Sequence, residues 1–326
     1  MRSTRITRRK FLGITVPAAV TTIVPGKYSF IISGTFKKPC SKVNGVLLGC
    51  TTYSYRDMPH KVDDIIQYLL LAGISSIELR SVAEEDLGIP EMPRRTAGQM
   101  DEREREEYEK AVAAAREAQR KWRLSLPMSR YENMRQQFNR AGIDVHIAKF
   151  APSSWSDEEI DYAYKAAAVL RSIGITDEYS EAAVKRLGKF AEKHHSLAMY
   201  HLHQQAAEPG FSFENIFKYS TANYLNLDAG HYFGATGLHP NAVIEKYHTR
   251  MRSIHIKDKT GPHGSPPDTN MPFGQGETPI ADILHLLKKE KWPIECDIEL
   301  EYRIPEDSDP AREVAKCMDY MRNILE

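Results

Sequence analysis

The chain has 326 residues, 44 basic and 44 acidic side chains, no formal net charge and 41% hydrophobic residues. This balance describes an ordinary globular protein and excludes the charge excess that draws a protein to nucleic acid or to a membrane surface. The length leaves room for one large domain together with a leader and an insertion.

The segment Thr7-Arg8-Arg9-Lys10-Phe11-Leu12-Gly13 sets adjacent arginines before an apolar stretch from Phe11 to Val24. It resembles a twin-arginine export signal, which predicts a leader and linker over residues 1–40 and a periplasmic address. Stable membrane insertion is disfavoured, because the stretch falls short of the ~20 residues a spanning helix needs and contains Pro17 and Pro25. Cys40, Cys50, Cys296 and Cys317 form no C-x-x-C pair, so neither a zinc knuckle nor a redox motif is indicated. They read as mainly free thiols.

From residue 46 onward, short apolar runs alternate with helical patterns, as in the βα units of a parallel sheet. The expected strands are Val46 to Thr52, Ser75 to Arg80, Val145 to Phe150, a weak one at Ile173 to Thr176, Leu197 to His203, Tyr224 to Asp228, Ser253 to Lys257 and Ile294 to Glu301. Helical patterns fall at Val62 to Leu71, Met128 to Ala141, Asp157 to Ile173, Glu181 to His194, Phe213 to Tyr219, Asn241 to Arg250, Ile280 to Lys289 and Pro310 to Leu325. Eight such units predict an α/β fold, a closed (β/α)8 TIM barrel over residues 41–326. One segment breaks the rhythm: the charge-dense Asp101 to Lys121 predicts a helical insertion after the second strand, exposed and laced with ion pairs. An insertion there emerges on the face where barrels carry their chemistry, so a cap or a dimer contact is the functional alternative.

Ligand-type residues gather at the ends of the later strands. Strand five ends in His201-Leu202-His203, strand six in Asp228-Ala229-Gly230-His231, strand seven carries His255 with Lys257-Asp258, and strand eight reads Asp297-Ile298-Glu299-Leu300-Glu301. Barrel strand ends converge, so imidazoles and carboxylates far apart in sequence can meet around one divalent ion. A lone strand histidine is more often structural; four consecutive strands with such groups at the same end point to a metal site.

The run from Asn226 to Glu301 resembles the sugar phosphate isomerase/epimerase group within the xylose-isomerase-like TIM barrels, and the resemblance extends over residues 46–326, with Gly274-x-Gly276-x-Thr278-Pro279 after strand seven. It implies one divalent ion (Mn2+, Co2+ or Zn2+) held by His201, Asp228, His255 and Glu299, with His231 of the Asp-x-x-His pattern touching substrate. Familiar epimerases of this group carry glutamate on both strand five and strand eight; here the strand-five position is His201. A metal-bound imidazole is a poor base, so the departure turns the expectation toward a dehydratase or keto-glycoside lyase.

Both chemistries need a base beside a polarised carbonyl, and Glu301 and Lys257 are the candidates. Lys257 could instead stabilise the developing oxyanion, or simply pair with Asp258 or a neighbouring acid. His203, Lys149 and Glu78 point toward the same mouth as candidate contacts for substrate hydroxyls, and Trp155, Tyr53, Tyr55 and Phe233 offer aromatic faces to a sugar ring. The expected partner is a small sugar or keto-sugar, with no nucleic acid; homo-oligomerisation is left open. Two rivals remain open on the sequence alone, a metal-dependent phosphodiesterase or endonuclease on the same barrel and a non-catalytic sugar-binding barrel.

Overall fold

The structure, a computed structural model, describes residues 38–80, 82–95 and 100–326; the leader expected around Arg8-Arg9 lies outside them. Eight parallel strands follow one another around a ring: β1 (Val46–Thr51), β2 (Ser76–Arg80), β3 (Asp144–Lys149), β4 (Gly174–Glu178), β5 (Leu197–His201), β6 (Asn223–Asp228), β7 (Met251–Ile256) and β8 (Glu295–Ile298). β8 pairs with both β7 and β1, Glu295 opposite Leu47 and Ile298 opposite Cys50, and this closes the barrel. Helices follow the strands, and no described helix is long and apolar enough to cross a membrane.

Two-residue alternation assigns each strand an outer and an inner face. Ile77, Leu79, Leu225, Leu227, Ile254, Ile256 and Ile298 are buried and belong to the hydrophobic core. Their alternates are polar and meet across the ring. His146 of β3 reaches Asp297 of β8 (2.9 Å), and Glu78 of β2 accepts from Asn226 of β6 (3.0 Å). Only the barrel interior can bring those strands together, so the inner face stacks polar layers beneath the mouth. The lowest joins Ser76, His146, Ser253, Glu295 and Asp297.

The insertion helix runs Glu102–Ser125, four residues beyond its charge run. Asp101 caps it, accepting the Glu104 N–H at 2.8 Å while Glu104 accepts the Asp101 N–H at 3.0 Å. Exposed pairs such as Arg103–Glu107 (3.0 Å) line its flank, each contributing about 0.2–0.5 kcal/mol. Arg123 is its one buried side chain. Other boundaries shift for local reasons. β5 stops at His201, leaving His203 in the following loop; β4 extends to Glu178; β8 stops at Ile298, so Glu299 and Glu301 lie just past it. A further helix, Ala229–Thr236, starts directly after β6 because Asp228 caps it.

Candidate functional site

His201 and Asp228 are the last residues of β5 and β6, His255 is next to last in β7, and Glu299 follows β8. Register makes them meet: His201 pairs with Asn226, Asp228 with His255, and His255 with Asp297, so the four strands end at one level. The ligand atoms of His201, Asp228, His255 and Glu299 lie within 4.8 Å of one another, and all four residues are buried.

The Asp-x-x-His spacing is a helix cap with its first turn. Asp228 Oδ1 accepts the His231 N–H at 2.7 Å, and the turn brings His231 Nε2 to 3.9 Å from Asp228 Oδ2 and 3.5 Å from Glu301 Oε2. Glycine is required at 230, since a Cβ there would come within 2.2 Å of Lys257 Cγ. The Gly274-x-Gly276-x-Thr278 stretch has an equally direct cause. Asp258 accepts backbone N–H groups of Gly274 (2.8 Å), Gly276 (3.0 Å) and Thr278 (3.2 Å), folding the loop after β7 back onto the barrel.

Lys257 Nζ lies 2.9 Å from Asp228 Oδ2 and 2.7 Å from both Glu299 Oε2 and Glu301 Oε2. Burial alone would favour its neutral form, but the three carboxylates push its pKa well above the ordinary lysine value, so it is a fixed cation. Burial likewise raises Glu301, yet the hydrogen bond from His231 and the charge of Lys257 bring its carboxyl down to about 2. His255 stands between two carboxylates, Nδ1 3.0 Å from Glu299 Oε2 and Nε2 3.0 Å from Glu78 Oε2; against the effect of burial, they raise its pKa well above the usual value. His201 is the opposite case. Burial, then the charges of Lys149 and His255, hold it well below the ordinary value, and its Nδ1 has no hydrogen-bond partner among the described residues.

These residues fit a divalent cation. Asp228, Glu299 and Glu301 set three carboxylates around a single ammonium, and two imidazoles with two carboxylates suit Zn2+, Co2+ or Mn2+. His201 is held in the neutral form that ligates. A buried polar atom without a partner, as its Nδ1 is, costs about 1–3 kcal/mol.

The other residues singled out by the sequence fall into different settings. His203 is half-exposed beside His201 and His231, with ring centroids 4.8 Å from each. Lys149 is buried and binds Glu178 Oε1 at 2.8 Å. Glu78 is wholly buried beneath the mouth, holding His255 and Asn226. Trp155 packs under the Arg123 guanidinium, 3.6 Å from ring centroid to Cζ, and Tyr55 is buried against Tyr68. Two residues beside the cluster escape the sequence pattern. Glu178 ends β4, whose weak apolar run gives out two residues earlier; Lys259 Nζ lies 3.3 Å from His231 Nδ1 and 2.7 Å from Asp268 Oδ1. Strand alternation continued from Thr176 points to the first.

Residues 94–324 match the family model of the xylose isomerase-like TIM barrel. The chain belongs to that family. Among solved structures, a sugar phosphate isomerase/epimerase from Parabacteroides distasonis is similar to this xylose isomerase-like barrel at 16% identity and a TM-score of 0.58, over 91% of this chain and 98% of the other. A probable 3-DHS dehydratase from Bacillus anthracis matches at 12% identity and 0.56, over 84% and 98%. The apo 3-keto-D-glucoside 4-epimerase from E. coli matches at 11% and 0.54, over 85% and 99%. At such identities these likenesses concern the fold. No curated protein sequence matches the chain.

Proposed function

We propose that this xylose isomerase-like barrel is a divalent-metal-dependent enzyme that removes a proton next to the carbonyl of a sugar or keto-sugar, with elimination favoured over epimerisation. The cluster of His201, Asp228, His255 and Glu299, with ligand atoms within 4.8 Å at the carboxyl ends of β5 to β8, carries the reading. The isomerase, epimerase and dehydratase names of the structural neighbours support the same class of chemistry.

His201, Asp228, His255 and Glu299 would hold a divalent ion, which would supply Lewis acidity toward a substrate carbonyl. The chain's own groups do the rest. Glu301 is ionised at the rim and takes the carbon-bound proton. Of the two roles open to Lys257, the electrostatic one is supported: a lysine kept protonated cannot accept a proton, but it can donate toward the oxyanion that develops. As the ammonium turns from Glu301 to the substrate oxygen, Glu301 gains basicity when it needs it. His231 orients Glu301, while His203 binds a substrate hydroxyl. With His201 on β5, the second carboxylate of a two-sided proton exchange is missing from that strand. Glu178 favours the epimerase reading, as a carboxylate across the mouth 3.7 Å from His203 Nδ1, but Lys149 already holds it.

The test is incubation of the metal-loaded protein with 3-keto-glycosides and free ketoses in heavy water, followed by NMR. Glu301→Gln should keep its metal and lose about 10²–10⁴-fold in turnover, the usual effect of removing a general base. Full activity in that variant refutes its role. An elimination releases water or an alcohol and leaves an unsaturated keto-sugar, whereas an epimerisation conserves mass. The Arg8-Arg9 leader supports a periplasmic address. Replacing both arginines with lysine should leave the precursor in the cytoplasm, and unchanged export removes that part of the proposal.

A further inference from the structure

A cavity of ≈ 280 Å³ opens beside the cluster, lined by residues at and just after the ends of β2, β3 and β4: Leu79, Arg80, Glu84, Lys149, Phe150 and Glu178 among others. Glu178 joins it to the reaction centre, because its carboxylate lies within 4.8 Å of ligand atoms of His201 and His203. Arg80 and Lys149 are register partners, the last pair between β2 and β3. Side chains so paired share one face, and like charges set opposite each other are destabilising unless an anion intervenes.

Their neutralisation is unequal. Lys149 Nζ has Glu178 Oε1 at 2.8 Å. The other carboxylate in the lining, Glu84, is committed to Arg123, with Oε1 and Oε2 accepting at 2.8 and 3.1 Å. Arg80 is half-buried, and among the described residues its guanidinium has no ion pair and no hydrogen bond. It is nonetheless held in place. Its backbone N–H donates to Thr52 Oγ1 at 2.9 Å and its carbonyl accepts from the same hydroxyl at 3.2 Å, while its Cζ lies 4.1 Å from the centroid of the Tyr53 ring. A guanidinium fixed by stacking, its five donors without a partner among the described residues, matches an oxyanion.

We infer that this cleft is a subsite for an anionic group on the part of the substrate remote from the metal cluster, so that the enzyme prefers an acidic sugar to a neutral one. The inference rests on the cluster being where the substrate reacts. Arg80 supplies the bidentate contact, and Lys149, shared with Glu178, the second positive charge. Carboxylate and phosphate offer the same chemistry to this pair.

Isothermal titration of the metal-loaded protein with D-glucose, D-glucuronate and D-glucose 6-phosphate tests it. At least one of the two anions should bind about tenfold more tightly than glucose at low salt, and the stronger identifies the group as carboxylate or phosphate. The advantage should shrink as salt is added. Arg80→Gln should bring the favoured anion down to the level of glucose. Arg56→Gln, which stacks on the same Tyr53 ring at 4.3 Å without lining the cleft, should retain the preference. Equal binding of all three ligands, or the same loss in both variants, overturns the subsite. Deuterium exchange on the same preparations keeps the two ideas apart. Exchange on neutral keto-glycosides without anion preference sinks the subsite alone, and an Arg80-dependent preference without exchange or turnover sinks the enzymatic reading alone.

Discussion

Two buried clusters of charge lie near each other at the top of the barrel, and they are built on opposite principles. At the root of the insertion helix, Arg123 donates to Glu84 at 2.8 and 3.1 Å and to Glu159 at 3.0 Å, and Trp155 closes the guanidinium face. Tyr162 donates to Glu84 Oε1 at 3.2 Å, and the Ser156 N–H to Glu159 Oε2 at 3.1 Å. Every carboxylate oxygen there has a partner. At the mouth, by contrast, His201 Nδ1, Glu78 Oε1 and Asn226 Oδ1 are buried without hydrogen bonds among the described residues, and three carboxylates share one lysine. A cluster that satisfies itself holds structure together; one that leaves donors and acceptors unmatched is shaped for something that arrives from outside.

Breaking the self-satisfied cluster should have the largest effect. Arg123→Met leaves Glu84 and Glu159 buried without a counter-charge and should cost about 3–5 kcal/mol of stability, measured by denaturant unfolding. Metal content should stay at the wild-type level in the fraction that remains folded. If the variant instead loses metal while keeping its stability, the division between the two clusters is wrong.

Glu78→Gln probes the mouth from beneath. Glu78 holds His255 Nε2 at 3.0 Å and so orients the ring whose other nitrogen faces Glu299. Removing its charge should weaken metal binding by about 10–100-fold, as for other carboxylates behind ligating histidines. Competition with a chelator reads this directly. An unchanged dissociation constant would reduce Glu78 to a packing role.

The smallest effect concerns the floor of the barrel. Burial disfavours charge on His146, but Asp297 and then Glu295 raise its pKa to about 9. A raised imidazole pKa contributes stability in full below the unfolded value near 6.5, and that contribution is lost as pH climbs through about 9. Glu295 is itself pushed upward by burial, which offsets part of the gain, so the loss should be about 1–2 kcal/mol. Unfolding measured from pH 6 to 10 should show a decline that is shallower in His146→Gln. Parallel curves for the two proteins would remove His146 as its source.

The βα rhythm and the ligand-type residues ending strands five to eight stand in the chain as written, because strand and helix periodicity are local properties and barrel ends converge whatever the loops do. Arg123 is hidden: in a helix of alternating charges, nothing local separates the one buried arginine from its exposed neighbours. Trp155 reads as a surface for sugar because it follows a strand end, whereas the tertiary structure spends its face on that arginine. Adjacency also misleads for Lys257. Asp258 follows it directly but binds the glycine loop, and the lysine's partners come from β6 and the segment after β8.

The sequence by itself therefore determined the fold class, the closed ring of strands and the candidate ligands His201, Asp228, His255 and Glu299. Which side chains meet across the ring was decided only in three dimensions. A period of two says which residues share a face, but the residue opposite depends on register and closure, and these are set by all eight strands together. The pairing of Glu78 with His255, the floor built on His146, the closed valences around Arg123 and the unmatched Arg80 beside Lys149 all follow from that closure.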